Sequence, residues 1–203
     1  MRRINKSAPF QNFEDFKREQ HPALWDDLTP EVRSSTRKHI LENEQHSLCG
    51  YTELPIHLED SHIDHFKRKS PDFFPNLTFN WNNLIVSCCS DDFGARYKDM
   101  IYLHKKNKDA YTNIINPVSE NPHDYFEYTE WGEIVLKSSL KKEEQIEKAT
   151  ETISAFNLKH SSLQSRRKMV IEYAKAYKAE FTLDQIKEFL KEHGFISVIE
   201  QFY

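Results

Sequence analysis

The chain has 203 residues, with 28 Lys+Arg against 32 Asp+Glu, for a formal net charge of −4. That length suits one decorated domain or two small lobes and is enough to bury a real core. An aromatic share of 13% excludes a disordered chain. The acidic total does not exclude nucleic acid, because binding depends on a local basic face rather than on the sum.

No apolar run reaches the roughly 18 residues of a membrane helix, so no membrane association is expected. The N-terminus MRRINKSAPF has basic residues with no apolar stretch behind them, so no signal peptide is expected. Cys49, Cys88 and Cys89 cannot make a paired disulfide framework, which points to a reducing compartment, the cytoplasm.

In chain order, residues 10–25 mix aromatics and charges, with Phe13, Phe16, Leu24 and Trp25 as a helical face interrupted by Pro22. Thr29-Pro30-Glu31 reads as a helix start, with Thr29 as N-cap and Pro30 in the first position. That helix is expected over 30–46. Residues 47–59 read as irregular. Residues 60–66 carry a strand signal, and NNLIVSCC reads as a second strand or a strand-to-helix entry. Residues 91–111 suggest a short helix and a basic loop. Residues 125–128 and 133–136 around Gly132 suggest a hairpin. Helices are expected over 141–156, 160–179 and 182–193, the last opened by Thr182 and stopped by Gly194. A short helix is expected at the end. The organisation expected is 1–46 as an N-terminal helical segment, 47–115 as a core, and 116–203 as a hairpin and helical region. The class is mainly α with a small β element.

Most chemistry-bearing side chains fall between Cys49 and Lys98. An Asp64-His65 pair near a strand end, Asn83-Leu84 further on, and acids ahead of a helix suit phosphodiester hydrolysis. That reaction needs an activated water, and a neutral His accepts its proton near neutral pH. It also needs a cation on the phosphate oxygens, and carboxylates hold Mg²⁺. An amide such as Asn83 can fix the His ring or the loop that carries it. His62 lies three residues before His65, which in a strand puts the two on opposite faces and takes His62 away from the water-activating position.

The segments CGYTE, SHIDHFKRKSP, LTFNWNNLIVSC and FGARYKD resemble the HNH endonucleases of the PtuB type, the nuclease partners of the PtuA ATPase in Septu and retron-linked anti-phage systems. The resemblance implies a ββα-metal nuclease core surrounded by helices, and an endonuclease acting on DNA or tRNA. It implies His65 as general base, Asp64 as metal ligand and Asn83 as the central Asn. Asp92 takes the last ligand position, where the family carries His or Asn. Mg²⁺ or Mn²⁺ is the implied cofactor. Many HNH proteins also hold a structural zinc on two Cys-x-x-Cys pairs. Here only Cys49 and Cys88 remain, with Thr52 and Asp91 or Phe93 in the other positions, so structural zinc is not expected. Lys67, Arg68, Lys69, Arg96 and Lys98 are the expected phosphate contacts. Phe73, Phe74, Phe79 and Trp81 are expected in the core. The implied partners are a PtuA-like ATPase, nucleic acid, and a retron reverse transcriptase with its msDNA. Phe195, Ile196, Ile199 and Phe202 are the expected ATPase contacts. The alternative is a catalytically weakened HNH-fold module that serves binding or assembly in the same complex.

Overall fold

The computed structural model describes residues 1–203. Two helices, α1 (Gln11–Gln20) and α2 (Pro30–His39), precede an antiparallel strand pair, β1 (Ser61–His65) and β2 (Leu84–Cys88). A short helix α3 (Ala95–Tyr97) follows and widens into a π-helical turn over Lys98–Tyr102. A second strand pair, β3 (Phe126–Tyr128) and β4 (Ile134–Leu136), leads into α4 (Glu143–Ala155), α5 (Ser161–Tyr177), α6 (Leu183–Phe189) and α7 (Ile196–Phe202). The chain is mainly α with two small antiparallel sheets, as its patterning predicts. No helix is long and apolar enough to cross a membrane.

Local chemistry explains the boundaries. Thr29 Oγ1 accepts the Val32 amide at 3.3 Å, and Pro30 sits in the first turn, where no backbone N–H is needed. The helix expected to reach residue 46 ends at His39 and continues as a π-turn over Ile40–Glu44. The wider turn delivers the Gln45 side chain to the outer edge of β2. There Gln45 Oε1 accepts the Val86 amide at 2.8 Å, and Nε2 donates to the carbonyls of Val86 and Leu48, each at 2.8 Å. The Gly50 amide adds a bond to the Val86 carbonyl at 3.0 Å, and a Cβ on Gly50 would collide with Ile85. One side chain and one glycine thus cover a sheet edge that would otherwise be open. Thr182 and Gln185 form the capping box of α6, which ends at Phe189, earlier than expected, in a 3₁₀ turn before Gly194 at φ +74°.

One continuous apolar core runs through all three expected segments, from Ile4 and Phe13 through Tyr51, Phe66 and Ile85 to Phe156, Val170 and Ile199. They are therefore not separately folded units. Glu53 ties the ends to the centre. Its carboxylate pairs with the Met1 α-amine at 2.6 Å and accepts the Ser197 amide at 2.9 Å, and its carbonyl accepts the Phe195 amide at 3.1 Å. This docking corrects the expectation for the terminal segment. Phe195 and Ile199 are fully buried, and Ile196 and Phe202 are half-buried against the same core, so they are packing residues first. Apolar side chains left in solvent are scattered over the chain, among them Leu24, Met100, Ile101, Trp131 and, on α5 and α6, Tyr173, Tyr177 and Phe189.

Candidate active site

β1 pairs with β2 in a two-stranded sheet, with Asp64 opposite Ile85 and His65 opposite Leu84. Its other edge is free. A cavity of about 380 Å³ lies along it, lined by His62, Ile63, Asp64 and His65 from the strand itself. Residues of both strand faces meet there, because a free edge is reached from either side. His62 and His65 both line the cavity although they alternate along the strand. The far wall comes from Arg68, Lys69, Arg96 and Asp99.

The His65 ring is held in one orientation. Its Nε2 lies 2.9 Å from the Thr78 carbonyl. A carbonyl only accepts, so we assign the proton to Nε2, which donates, and the neutral ring keeps its lone pair on Nδ1. Trp25 packs edge-on against the ring at 4.6 Å. Burial, the largest influence, holds the imidazole pKa down to about 4. The ring is accordingly neutral at physiological pH, the state a proton acceptor requires.

Asn83 holds the loop that carries Thr78. Its Oδ1 accepts the Lys67 amide at 2.8 Å. Its Nδ2 donates to the Lys67 carbonyl at 2.9 Å and to the Leu77 carbonyl at 3.2 Å. The two ends of the β1–β2 connection are thereby stapled, and the Thr78 carbonyl one residue after Leu77 is fixed against His65. Asn83 is a positioning residue: it acts through the loop.

Asp64 is buried beside two donors. Both Tyr51 Oη and Lys98 Nζ, the latter at 2.9 Å, donate to Asp64 Oδ2. No protein hydrogen bond falls on Oδ1. Burial alone would push this carboxyl up, but the Lys98 charge and the two hydrogen bonds hold it below the ordinary range. The Lys98 ammonium also donates to the Phe66 carbonyl at 3.0 Å and lies 3.4 Å from Asp99 Oδ1. Burial opposes its charge, and the flanking carboxylates outweigh this and raise its pKa. Lys98 is fully buried, which corrects its expected role as a phosphate contact. It joins the helix to the strand from within. Asp99 Oδ1 is itself buried without a hydrogen-bond partner, and burial pushes its carboxyl up.

The other expected residues divide. Arg68, Lys69 and Arg96 line the cavity, with Arg68 held by Asp99 and Arg96 paired to Asp91 at 3.1 Å. Lys67 turns away, its ammonium over the Phe74 ring at 5.1 Å beside a different hollow. Asp92 sits exposed on the loop before α3, its carbonyl accepting from Asn157, and does not line the cavity. Trp81 is buried, while Phe73, Phe74 and Phe79 are half-buried and pack on the core. No group of three or more His, Cys, Asp or Glu side chains is arranged to hold a metal.

Behind the strands, Cys49 and Cys88 come together, Sγ to Sγ 3.7 Å. Thr52 is buried, and a Cβ at Gly94 would lie 3.3 Å from Cys88 Sγ and 4.0 Å from Thr52 Cγ2. The two thiols, the threonine and the glycine share one spot. Two sulfurs fall short of the four-donor set of a structural zinc.

Sequence reasoning missed Tyr51, Thr78 and Asp99. Asp99 had a signal, since it follows Lys98 inside the quoted FGARYKD segment. Thr78 had none, because it contributes only a carbonyl.

No protein-family profile matches the chain. A protein of Escherichia coli named as a candidate HNH endonuclease of retron Ec83 is 25% identical over 209 aligned positions, which cover 85% of this chain and 80% of that one.

Proposed function

We propose that the chain is a metal-dependent HNH endonuclease that hydrolyses phosphodiester bonds in DNA or tRNA. One observation carries the reading. His65 is neutral, pinned through Nε2 by a backbone carbonyl, and open at Nδ1 in a cavity that also presents Asp64 and three cationic side chains. In that geometry Nδ1 takes a proton from a water as the water's oxygen attacks phosphorus, the bond from phosphorus to the leaving sugar oxygen breaks, and that oxygen takes a proton from solvent water. Arg68, Lys69 and Arg96 hold the phosphate in the cavity. Asp64 Oδ1 is the carboxylate oxygen free for a hard cation, and Asp99 is the second acid on the cavity wall, a better-placed candidate than Asp92. So few protein oxygens suit Mg²⁺ or Mn²⁺, which keep several waters, and the ion would supply charge neutralisation on the phosphate oxygens.

The relative's name supports the HNH endonuclease reading and a retron setting, in which a reverse transcriptase and its msDNA are the expected companions. The PtuB assignment, the PtuA-like ATPase partner and the anti-phage role rest on the sequence resemblance. The test is incubation of the chain with plasmid, single-stranded DNA and tRNA in Mg²⁺, with and without chelator. Mg²⁺-dependent cleavage of any of these is expected. Cleavage unaffected by chelator removes the metal, and no cleavage of any substrate, alone or with the partner ATPase, removes the enzyme.

A second reading is favoured by the placement of Lys98. Its ammonium already lies between Asp64 and Asp99, where a metal cation would otherwise balance them. A weakened HNH-fold module that binds without cutting fits that arrangement. Retained nucleic-acid binding with no hydrolysis in Mg²⁺ or Mn²⁺ would select it.

A further inference from the structure

We infer that the nucleic-acid path does not end at the His65 cavity but continues over β1 onto α2, where Arg33 and Arg37 form a second phosphate-contact site. The inference rests on the nuclease reading and extends its substrate contacts to an element outside the strand–strand–helix unit.

A second cavity of about 360 Å³ adjoins the first, and the two share His62 and Ile63 as lining residues. They are therefore two halves of one trench that crosses the free edge of β1. The second half is walled by Trp25, Arg33, Ser34 and Arg37. Arg33 and Arg37 are four apart on α2 and so lie on one helical face, the face turned to the strand. Arg37 is fixed there by a 2.7 Å bond from Nη1 to the Ser61 carbonyl at the start of β1. Arg33 is loosely paired with the exposed Asp26 at 3.6 Å, a contact weak enough to exchange for a phosphate.

Charge follows the trench. Although the chain is net acidic, Arg68, Lys69 and Arg96 line the half that holds Asp64, His65 and Asp99, Arg33 and Arg37 line the other, and His62 and Ile63 lie between them. Guanidinium groups suit this task because their fork of donors matches phosphate oxygens. Trp25 stands at the junction. Its ring lines the second half while its edge contacts His65, so it separates the α2 site from the reacting position. A phosphate on Arg33 and Arg37 thus belongs to a neighbouring nucleotide, and its binding sets the register of the strand rather than the chemistry.

The experiment uses the full chain carrying His65→Ala, so that binding is read without cleavage. Short fluorescein-labelled single-stranded DNA, duplex DNA and RNA are titrated by anisotropy across a salt series, with a thermal melt to verify folding. Arg33→Glu should weaken binding about tenfold, equally for all base sequences, and lower the salt slope by about one. Arg33→Lys should bind within a few-fold of Arg33, and Asp26→Asn should bind more tightly than the parent. If Arg33→Glu binds like the parent while Lys69→Glu is weakened, the path ends at the cavity and the inference is overturned. If the parent binds none of the three probes, the nucleic-acid reading falls and the inference with it.

Discussion

Lys98, at the start of the π-turn after α3, and Asp64 of β1 form a buried ion pair at 2.9 Å, the charged contact that joins that turn to the strand. Both side chains have left water, and their attraction compensates for that only while both are present. Lys98→Met should destabilise the protein by about 3–5 kcal/mol, since it leaves the Asp64 carboxylate buried without its cation. In a chain of this size that is a fall in melting temperature of roughly 10 °C. Thermal melts at neutral pH check this. Adding Asp64→Leu to Lys98→Met should recover part of the loss, and a single variant as stable as the parent contradicts the pairing.

Asn83 should matter to His65 without touching it. Asn83→Ala removes three hydrogen bonds to the backbone of Lys67 and Leu77 and should cost about 2–4 kcal/mol of stability. It should also free the loop, so that the His65 ring is no longer fixed with its proton on Nε2. Nitrogen NMR of the imidazole reports this: one tautomer in the parent, a mixture in Asn83→Ala. An unchanged ring spectrum would mean that Thr78 is held by something else.

The low His65 pKa has a consequence for acid stability. The folded value is about 4, below the usual 6.5 of an exposed imidazole, so the unfolded chain binds the proton first. The contribution is fully present above pH 6.5 and is lost as pH falls through the window down to about 4. It amounts to about 3 kcal/mol, read as a difference between parent and His65→Gln in unfolding free energy at pH 7 and at pH 4. Equal pH dependence in the two proteins would show that His65 is not held neutral by burial. The same sign applies to activity. Cleavage should survive mild acid, because the base does not protonate until the pH approaches 4.

The neighbourhood of several named side chains is legible from residue types and spacing. Asp64, His65 and Asn83 are all placed around one strand and the loop it starts, and the hairpin at Gly132 and the helices after residue 141 match their apolar spacing and caps. The failures have common physical causes. Lys98 reads as a phosphate contact because it lies in a basic segment, and only the fold shows the two acids that make its burial tolerable. His62 and His65, three apart in β1, alternate as a strand requires, and what the sequence does not show is that one cavity takes lining from both. The helix expected over 30–46 ends sooner because propensity does not encode the π-turn that brings Gln45 to β2. The terminal apolar cluster looked like an interface because Glu53, which anchors it through Ser197 and Phe195, lies 144 residues away from Ser197 in sequence.

The most direct test of the account is single-turnover cleavage in Mg²⁺ by the parent and by His65→Ala, on whichever nucleic acid the parent cuts. The account predicts a rate lower by about 10²–10⁴-fold for His65→Ala, with its melting transition still cooperative and its nucleic-acid binding retained. Cleavage by His65→Ala at the parental rate would contradict it and would pass the base role to His62, the other imidazole of the cavity, whose pKa burial also lowers.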